Sequence, residues 1–228
     1  MRVRKSAERG TTKIDWLDSK HSFSFADYYD PDNMGFRSLR VINEDVVEGG
    51  GGFGTHPHRD MEILTYVLNG ELEHRDSTGG GSVIKHGTIQ RMTAGSGIQH
   101  SEFNHSKTEP VHLLQIWIIP ERRGLEPSYE EANFKLGSGF TLLAGPKGAG
   151  APVMIHQDAK LYAAKLSKGE SQELNLNPER FAWIQVAGGT VTVNGTSVEA
   201  GDAVAIGGEK TVVLSGKADA EVLVFDLA

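Results

Sequence analysis

His56-Pro57-His58 and His100-Ser101-Glu102 each set two potential metal ligands at positions i and i+2. In a β-strand alternate side chains share a face, so each pair can direct both of its groups into one cavity. If the two strands are neighbours, three imidazoles and a carboxylate meet at one point. That donor set suits one divalent first-row transition metal and leaves two positions of an octahedral shell for other ligands. Pro57 cannot donate to a sheet ladder, which places the first pair at a sheet edge, a bulge or the start of a strand, where a substrate can reach it.

The sequence around these pairs reads as β-structure. Glycine supplies 28 of the 228 residues, and most of it separates short apolar runs, the pattern of an all-β fold built from many short strands. Strands are predicted over Ser38 to Val47, Glu62 to Leu68, Glu71 to Arg75, Thr88 to Thr93, Gly97 to Phe103 and Val111 to Ile119. Val67-Leu68-Asn69-Gly70-Glu71-Leu72 has the form of a hairpin with a type I′ Asn-Gly turn. Asp76 to Gly81 is a looser turn. Polar Pro120 to Asn133, with Pro120, Gly124 and Pro127, is the expected connection between two halves, and Ser128 to Ala132 within it is expected to form a short helix.

Strand signals resume in Leu161 to Leu166, Phe181 to Val186, Thr190 to Val193, Ala203 to Ile206, Thr211 to Leu214 and Glu221 to Phe225. This half reads as a shortened echo of the first. Val67-Leu68-Asn69-Gly70, followed by Gly87 and Ile89, matches Val186-Ala187-Gly188-Gly189, followed by Gly201 and Ala203; the echo lacks about the length of the Gly79-Gly80-Gly81 hairpin. Asn175, Asn177, Leu214 and Gly216 then stand opposite His56, His58, His100 and Glu102. The expected organisation is a metal-binding barrel over residues 1–120, a connection over 121–133 and a barrel without ligands over 134–228.

Composition narrows the function. The chain has no cysteine, which excludes disulfides, thiolate metal sites and a cysteine nucleophile. Net charge is −7 with the basic residues scattered, which argues against direct binding to nucleic acid. The longest apolar run, Leu113 to Ile119, is interrupted by Gln115 and is too short to span a bilayer; the charged N-terminus leads into no apolar stretch. A cytoplasmic, monomeric protein with no membrane partner is expected.

Gly50 to Gly70, with His56, His58 and Glu62, resembles the first motif of the cupins, and Gly87 to Asn104, with Gly95, His100 and Asn104, resembles the second. The pattern departs from the usual one where Gly70 falls one residue late, where Thr93 replaces a proline, and where the gap before His100 is longer by two residues. Phe23-Ser24-Phe25-Ala26-Asp27-Tyr28-Tyr29-Asp30-Pro31, Leu39-Arg40-Val41-Ile42-Asn43, His56-Pro57-His58-Arg59-Asp60-Met61-Glu62 and Gly97-Ile98-Gln99-His100-Ser101-Glu102 resemble the pirin family more narrowly, strongly to about Glu121 and weakly beyond. The resemblance implies a bicupin, two antiparallel β-barrels of the jelly-roll type in one chain. It implies His56, His58, His100 and Glu102 as ligands, most often of Fe(II), with Mn, Ni, Co, Cu or Zn as other ions such ligands accept. It also implies an activity, since bacterial pirin-like proteins resemble quercetin 2,3-dioxygenases that open a flavonol ring with O₂ and release CO. Glu102 would then also serve as general base for the substrate hydroxyl.

Other residues read more plainly. Glu62 is either a partner to a ligand or a solvated strand charge. His74 and His86 read as exposed, and His105 as pointing away from the metal. His112, in phase with Leu114 and Ile116, reads as a satisfied histidine of the core or one supporting a ligand, and His21 as part of a packed strand or a lid with Phe23 and Phe25. Phe53, Met61, Ile63, Met92 and Trp117 can serve either as core or as the wall an aromatic substrate needs. A different function class, a metal-loaded regulatory cofactor of transcription factors like eukaryotic pirins, lacks any nuclear localisation cluster here. A cupin isomerase or storage barrel with a structural metal has less need of four ligands and open positions.

Overall fold

The computed structural model describes residues 1–228, and its regular structure is almost entirely β. In chain order the strands are β1 (Arg2–Arg4), β2 (Gly10–Ile14), β3 (Leu17–His21), β4 (Leu39–Val47), β5 (Gly52–His58), β6 (Glu62–Asn69), β7 (Glu71–Asp76), β8 (Gly81–Lys85), β9 (Thr88–Thr93), β10 (Ile98–Asn104), β11 (Val111–Ile118) and β12 (Ser128–Asn133). They continue as β13 (Thr141–Gly145), β14 (Val153–Met154), β15 (Ala159–Leu166), β16 (Ser171–Asn175), β17 (Phe181–Gly188), β18 (Thr190–Val193), β19 (Thr196–Glu199), β20 (Ala203–Gly207), β21 (Thr211–Gly216) and β22 (Ala220–Leu227). No helix is long and apolar enough to cross a membrane.

The chain divides into two compact units. The first is Gly10–Phe134 with Val153–Gln157; the second is Met1–Arg9 with Lys135–Pro152 and Asp158–Ala228. The fold is a bicupin, but neither half closes into a continuously hydrogen-bonded barrel. The first unit is a large sheet, β12-β9-β6-β11-β4-β3-β2, and a small sheet, β5-β10-β7-β8. The second repeats the plan, with β1-β20-β17-β22-β15-β13 and β16-β21-β18-β19.

The reason lies at the glycines expected to make a hairpin. β6 pairs with β9 and β11, whereas β7 pairs with β8 and β10, so Asn69-Gly70 is a corner that passes the chain between sheets and not a type I′ turn. Only Gly70 of that pair is left-handed, at φ +80°, and a Cβ there would stand 2.8 Å from the Pro110 carbonyl oxygen. Gly189, at φ +76°, makes the same corner between β17 and β18, which is the structural content of the echo read in the sequence.

Three further expectations change. Ser128 to Ala132 is strand, not helix, because β12 pairs with the edge of β9 and Glu130 reaches the buried Arg91 at 2.9 Å. The N-terminal residues belong to the second unit, since β1 completes the edge of its sheet by pairing with β20. Val153–Gln157 returns to the first unit, where Met154 N–H donates to Glu130 at 2.9 Å.

The second unit contains no histidine. Ile184, Val204 and Val222 of its large sheet pack with Val191, Val193, Val212 and Leu214 of its small one, so its interior is filled by apolar side chains.

Candidate metal centre

Strand register builds the centre. β10 pairs with β5 so that His100 faces His56 and Ile98 faces His58, and with β7 so that Glu102 faces His74 and His100 faces Asp76. Residues directly opposed in an antiparallel pair share a face, so all of these point to the interior. Between His100 and Glu102 the register on β5 slips, and Glu102 faces Phe53. This β-bulge turns both Phe53 and His56 inward although they lie three residues apart. β5 is also the edge strand of the small sheet, as Pro57 requires.

The ligand atoms of His56, His58 and His100 lie within 4.8 Å of one another, and so do those of His74, His100 and Glu102. His56 Nδ1–H donates to the Gly54 carbonyl at 2.7 Å, which turns Nε2 toward the cluster. That atom sits 3.0 Å from His100 Nε2. Adjacent ligands on an octahedral ion with metal–nitrogen bonds of about 2.1 Å lie about 3.0 Å apart, so the approach suits a shared cation. Burial, and then the charge of His56, push the His58 imidazole down to about 4. Burial and the neighbouring histidines push His100 down to about 2. Both rings are therefore neutral near pH 7, the form that ligates a metal.

Glu102 is 3 % exposed. Its carboxylate accepts from Gln115 Nε2 at 2.7 Å and from Thr65 Oγ1 at 3.4 Å. Burial raises its carboxyl above the ordinary range, against the pull of His74 and Gln115. A dication beside it would restore the charged form.

His74, expected at the surface, is completely buried. Its ring is 3.1 Å from Asp76 Oδ2 through Nε2 and 3.5 Å from His100 Nδ1 through its own Nδ1, with Gln90 Nε2 at 3.3 Å from that nitrogen. The signal in the sequence is Leu72, the one apolar residue of β7, which lies two residues from His74 and so shares its buried face. Glu62 is neither solvated nor beside the metal cluster: it is fully buried and lies 3.4 Å from His156 Nδ1. His112 pairs with Glu44 at 3.0 Å, away from the ligands, while His86 and His105 are exposed.

A cavity of about 290 Å³ opens beside the cluster, lined by His56, His58 and Glu102 and by apolar Leu17, Phe25, Phe53, Ile63 and Trp117. Met61 and Met92 instead pack in a cluster with Ile63, Ala94 and Ile98. His21 lines the cavity, with Ser19, Asn43, Asp45 and Thr12. Gln115 was noted in the sequence only as a break in an apolar run, and that break was its signal: a polar residue at an inward position of a central strand.

A family profile described as Pirin matches residues 2–118. The chain belongs to the pirin family. A second profile, described as Quercetinase C-terminal cupin domain, matches residues 142–227. The Escherichia coli K12 protein named quercetin 2,3-dioxygenase is 50 % identical over 225 residues, covering 99 % of this chain and 97 % of that one. The crystal structure of YhhW from Escherichia coli superposes with a TM-score of 0.96 at 49 % identity, over 100 % of this chain and 97 % of that one. The structure of that bacterial pirin in complex with nickel(II) gives 0.95 at 49 % identity, over 99 % and 98 %.

Proposed function

We propose that this pirin is a metal-dependent dioxygenase that opens the ring of a flavonol such as quercetin with O₂ and release of CO. His56, His58, His100 and Glu102 are the ligands of one divalent transition metal in this reading, Fe(II) by family resemblance, although the same donors accept nickel and other ions. The observation that carries it is the convergence of the His56, His58 and His100 imidazoles beside a largely apolar cavity whose wall includes His56, His58 and Glu102. The names of the relatives support the substrate and the nickel complex supports the ion.

When bound, a divalent transition metal supplies Lewis acidity toward the substrate 3-hydroxyl and a path for electrons to O₂. The chain does the rest. Phe53, Ile63 and Trp117 exclude water and bound a slot for a planar ring system. Glu102 takes the hydroxyl proton on a carboxylate oxygen, and its hydrogen bonds to Gln115 and Thr65 hold it in place.

The test is anaerobic loading with Fe²⁺, Mn²⁺, Ni²⁺, Co²⁺, Cu²⁺ or Zn²⁺, followed by quercetin and O₂. Loss of flavonol absorbance with one O₂ consumed and one CO released per substrate is expected. A filled site with no turnover for any ion would overturn the proposal.

A further inference from the structure

Three cross-strand rungs face the interior of the large sheet of the first unit. One is Ser19-Asp45-Leu113, the next His21-Asn43-Gln115-Thr65-Gln90, and the third Val41-Trp117-Ile63-Met92. The middle rung is polar across five strands, and every member is buried. Its Gln115, Thr65 and Gln90 are spent on Glu102 and His74. The metal centre makes no use of the remainder, Ser19, His21, Asn43 and Asp45, each at most 4 % exposed and each lining the cavity.

These residues are braced among themselves. Ser19 Oγ–H donates to Asp45 Oδ1. His21 Nδ1–H donates to Asn43 Oδ1 at 2.8 Å, which leaves His21 Nε2 to accept from Thr12 Oγ1 at 2.9 Å. The bracing consumes one oxygen of each acid-derived side chain; Asp45 Oδ2 and Asn43 Nδ2 make no hydrogen bond within the chain and are not sealed from the cavity. An acceptor and a donor thus stand in a slot whose other walls are Leu17, Phe25, Phe53, Ile63 and Trp117. Polar groups held in a desolvated site discriminate strongly against a ligand that leaves them unpaired.

We propose that Asn43 and Asp45, held by His21 and Ser19, form a specificity subsite that binds the additional ring hydroxyls of a polyhydroxylated aromatic substrate. The subsite deepens the flavonol reading above and rests on it. Burial also pushes the Asp45 carboxyl up to about 7, so it can accept from a phenol in one form and donate to it in the other.

The experiment is equilibrium binding to the metal-loaded protein without O₂, using two probes. Quercetin carries ring hydroxyls beyond the one at position 3; 3-hydroxyflavone carries that one alone. The protein should bind quercetin at least about tenfold more tightly, the factor that one net hydrogen bond supplies. Asn43→Leu and Asp45→Leu should each weaken quercetin by about tenfold while leaving 3-hydroxyflavone within about twofold and metal content unchanged. Equal affinity of the unaltered protein for the two probes would overturn the subsite whatever the variants do, and so would an equal loss for both probes in the variants. Binding of neither flavonol by the metal-loaded protein would overturn the substrate reading itself and the subsite with it.

Discussion

His74 Nδ1 lies 3.5 Å from His100 Nδ1, and the partners on the far side of His74 decide how the proton between them is placed. The Asp76 carboxylate only accepts, so His74 Nε2 carries the hydrogen that bridges their 3.1 Å contact. Gln90 Nε2 only donates, which independently makes His74 Nδ1 an acceptor. His100 then donates from Nδ1 to His74 and presents a bare Nε2 to the centre. A carboxylate, one histidine and a second histidine in series thereby fix the tautomer of His100, the role such outer contacts play where a histidine holds a metal.

Replacing His74 by Phe keeps a ring of similar size and removes the acceptor. The metal affinity of His74→Phe should fall about 10- to 100-fold, read by competition with a chelator of known affinity. His86→Ala, at an exposed position, should leave it unchanged. Equal affinities of the two variants would mean that His74 is packing alone.

Glu102 differs from the imidazoles in that two side chains grip it. His58→Ala should lose metal and turnover together. Glu102→Gln should keep most of the metal, because three imidazoles remain, yet lose turnover by about 100-fold or more, within the range that a positioned proton acceptor supplies. Gln115→Met removes the 2.7 Å contact without opening a large hole; it should lower kcat by about tenfold with metal content intact. Metal analysis beside steady-state rates separates these outcomes, and a fully active Glu102→Gln would end the base assignment.

How much of this was legible follows from what a strand shows of itself. The pairs His56 and His58, and His100 and Glu102, could be read as candidates because i and i+2 spacing needs no partner strand; the fold gathers the three histidines in one group and sets Glu102 with His74 and His100 in another. The glycine echo announced the second unit, and its corners at Gly70 and Gly189 bear that out. Yet the sequence could not say which sheet follows a corner, so Asn69-Gly70 read as a hairpin when β6 and β7 enter different sheets. His74, Asn43, Asp45 and Gln115 act through rungs that cross strands far apart in the chain, and only the register assembles them. His156 follows the expected connection in the sequence, yet the fold returns it to Glu62 in the first unit.

The corner glycines carry their own prediction. A Cβ at Gly189 would fall 1.9 Å from the Asp219 carbonyl oxygen in a backbone conformation that already disfavours any side chain. Gly189→Ala should therefore destabilise by roughly 3 kcal/mol or more. Thermal unfolding should move down by about 10 °C for a chain of this size. Gly195→Ala is a milder case, since nothing stands near its Cβ and only the positive φ of +84° opposes it. A smaller loss for Gly195→Ala, about 1 to 2 kcal/mol, would separate backbone strain from collision.

Asp45 gives a stability signature of opposite sign to that of an ordinary surface acid. Burial, first of all, raises its carboxyl to about 7, and the Ser19 hydroxyl offsets only part of this. Between the ordinary carboxylate range and about pH 7 the folded chain holds a proton there that the unfolded chain has released. Folding is therefore favoured at the acidic end by this group and loses that advantage as pH rises to about 7, beyond which the cost is constant. The ceiling on that cost is roughly 4 kcal/mol. Asp45→Asn keeps the shape and cannot ionise. In the metal-free protein, where no cation pulls the carboxyl back down, the variant should gain stability relative to the parent as pH goes from 5 to 8, by roughly 2 to 3 kcal/mol, the part of that ceiling that falls above pH 5. Chemical denaturation at several pH values measures the difference; parallel curves for parent and variant would show that Asp45 is ionised throughout.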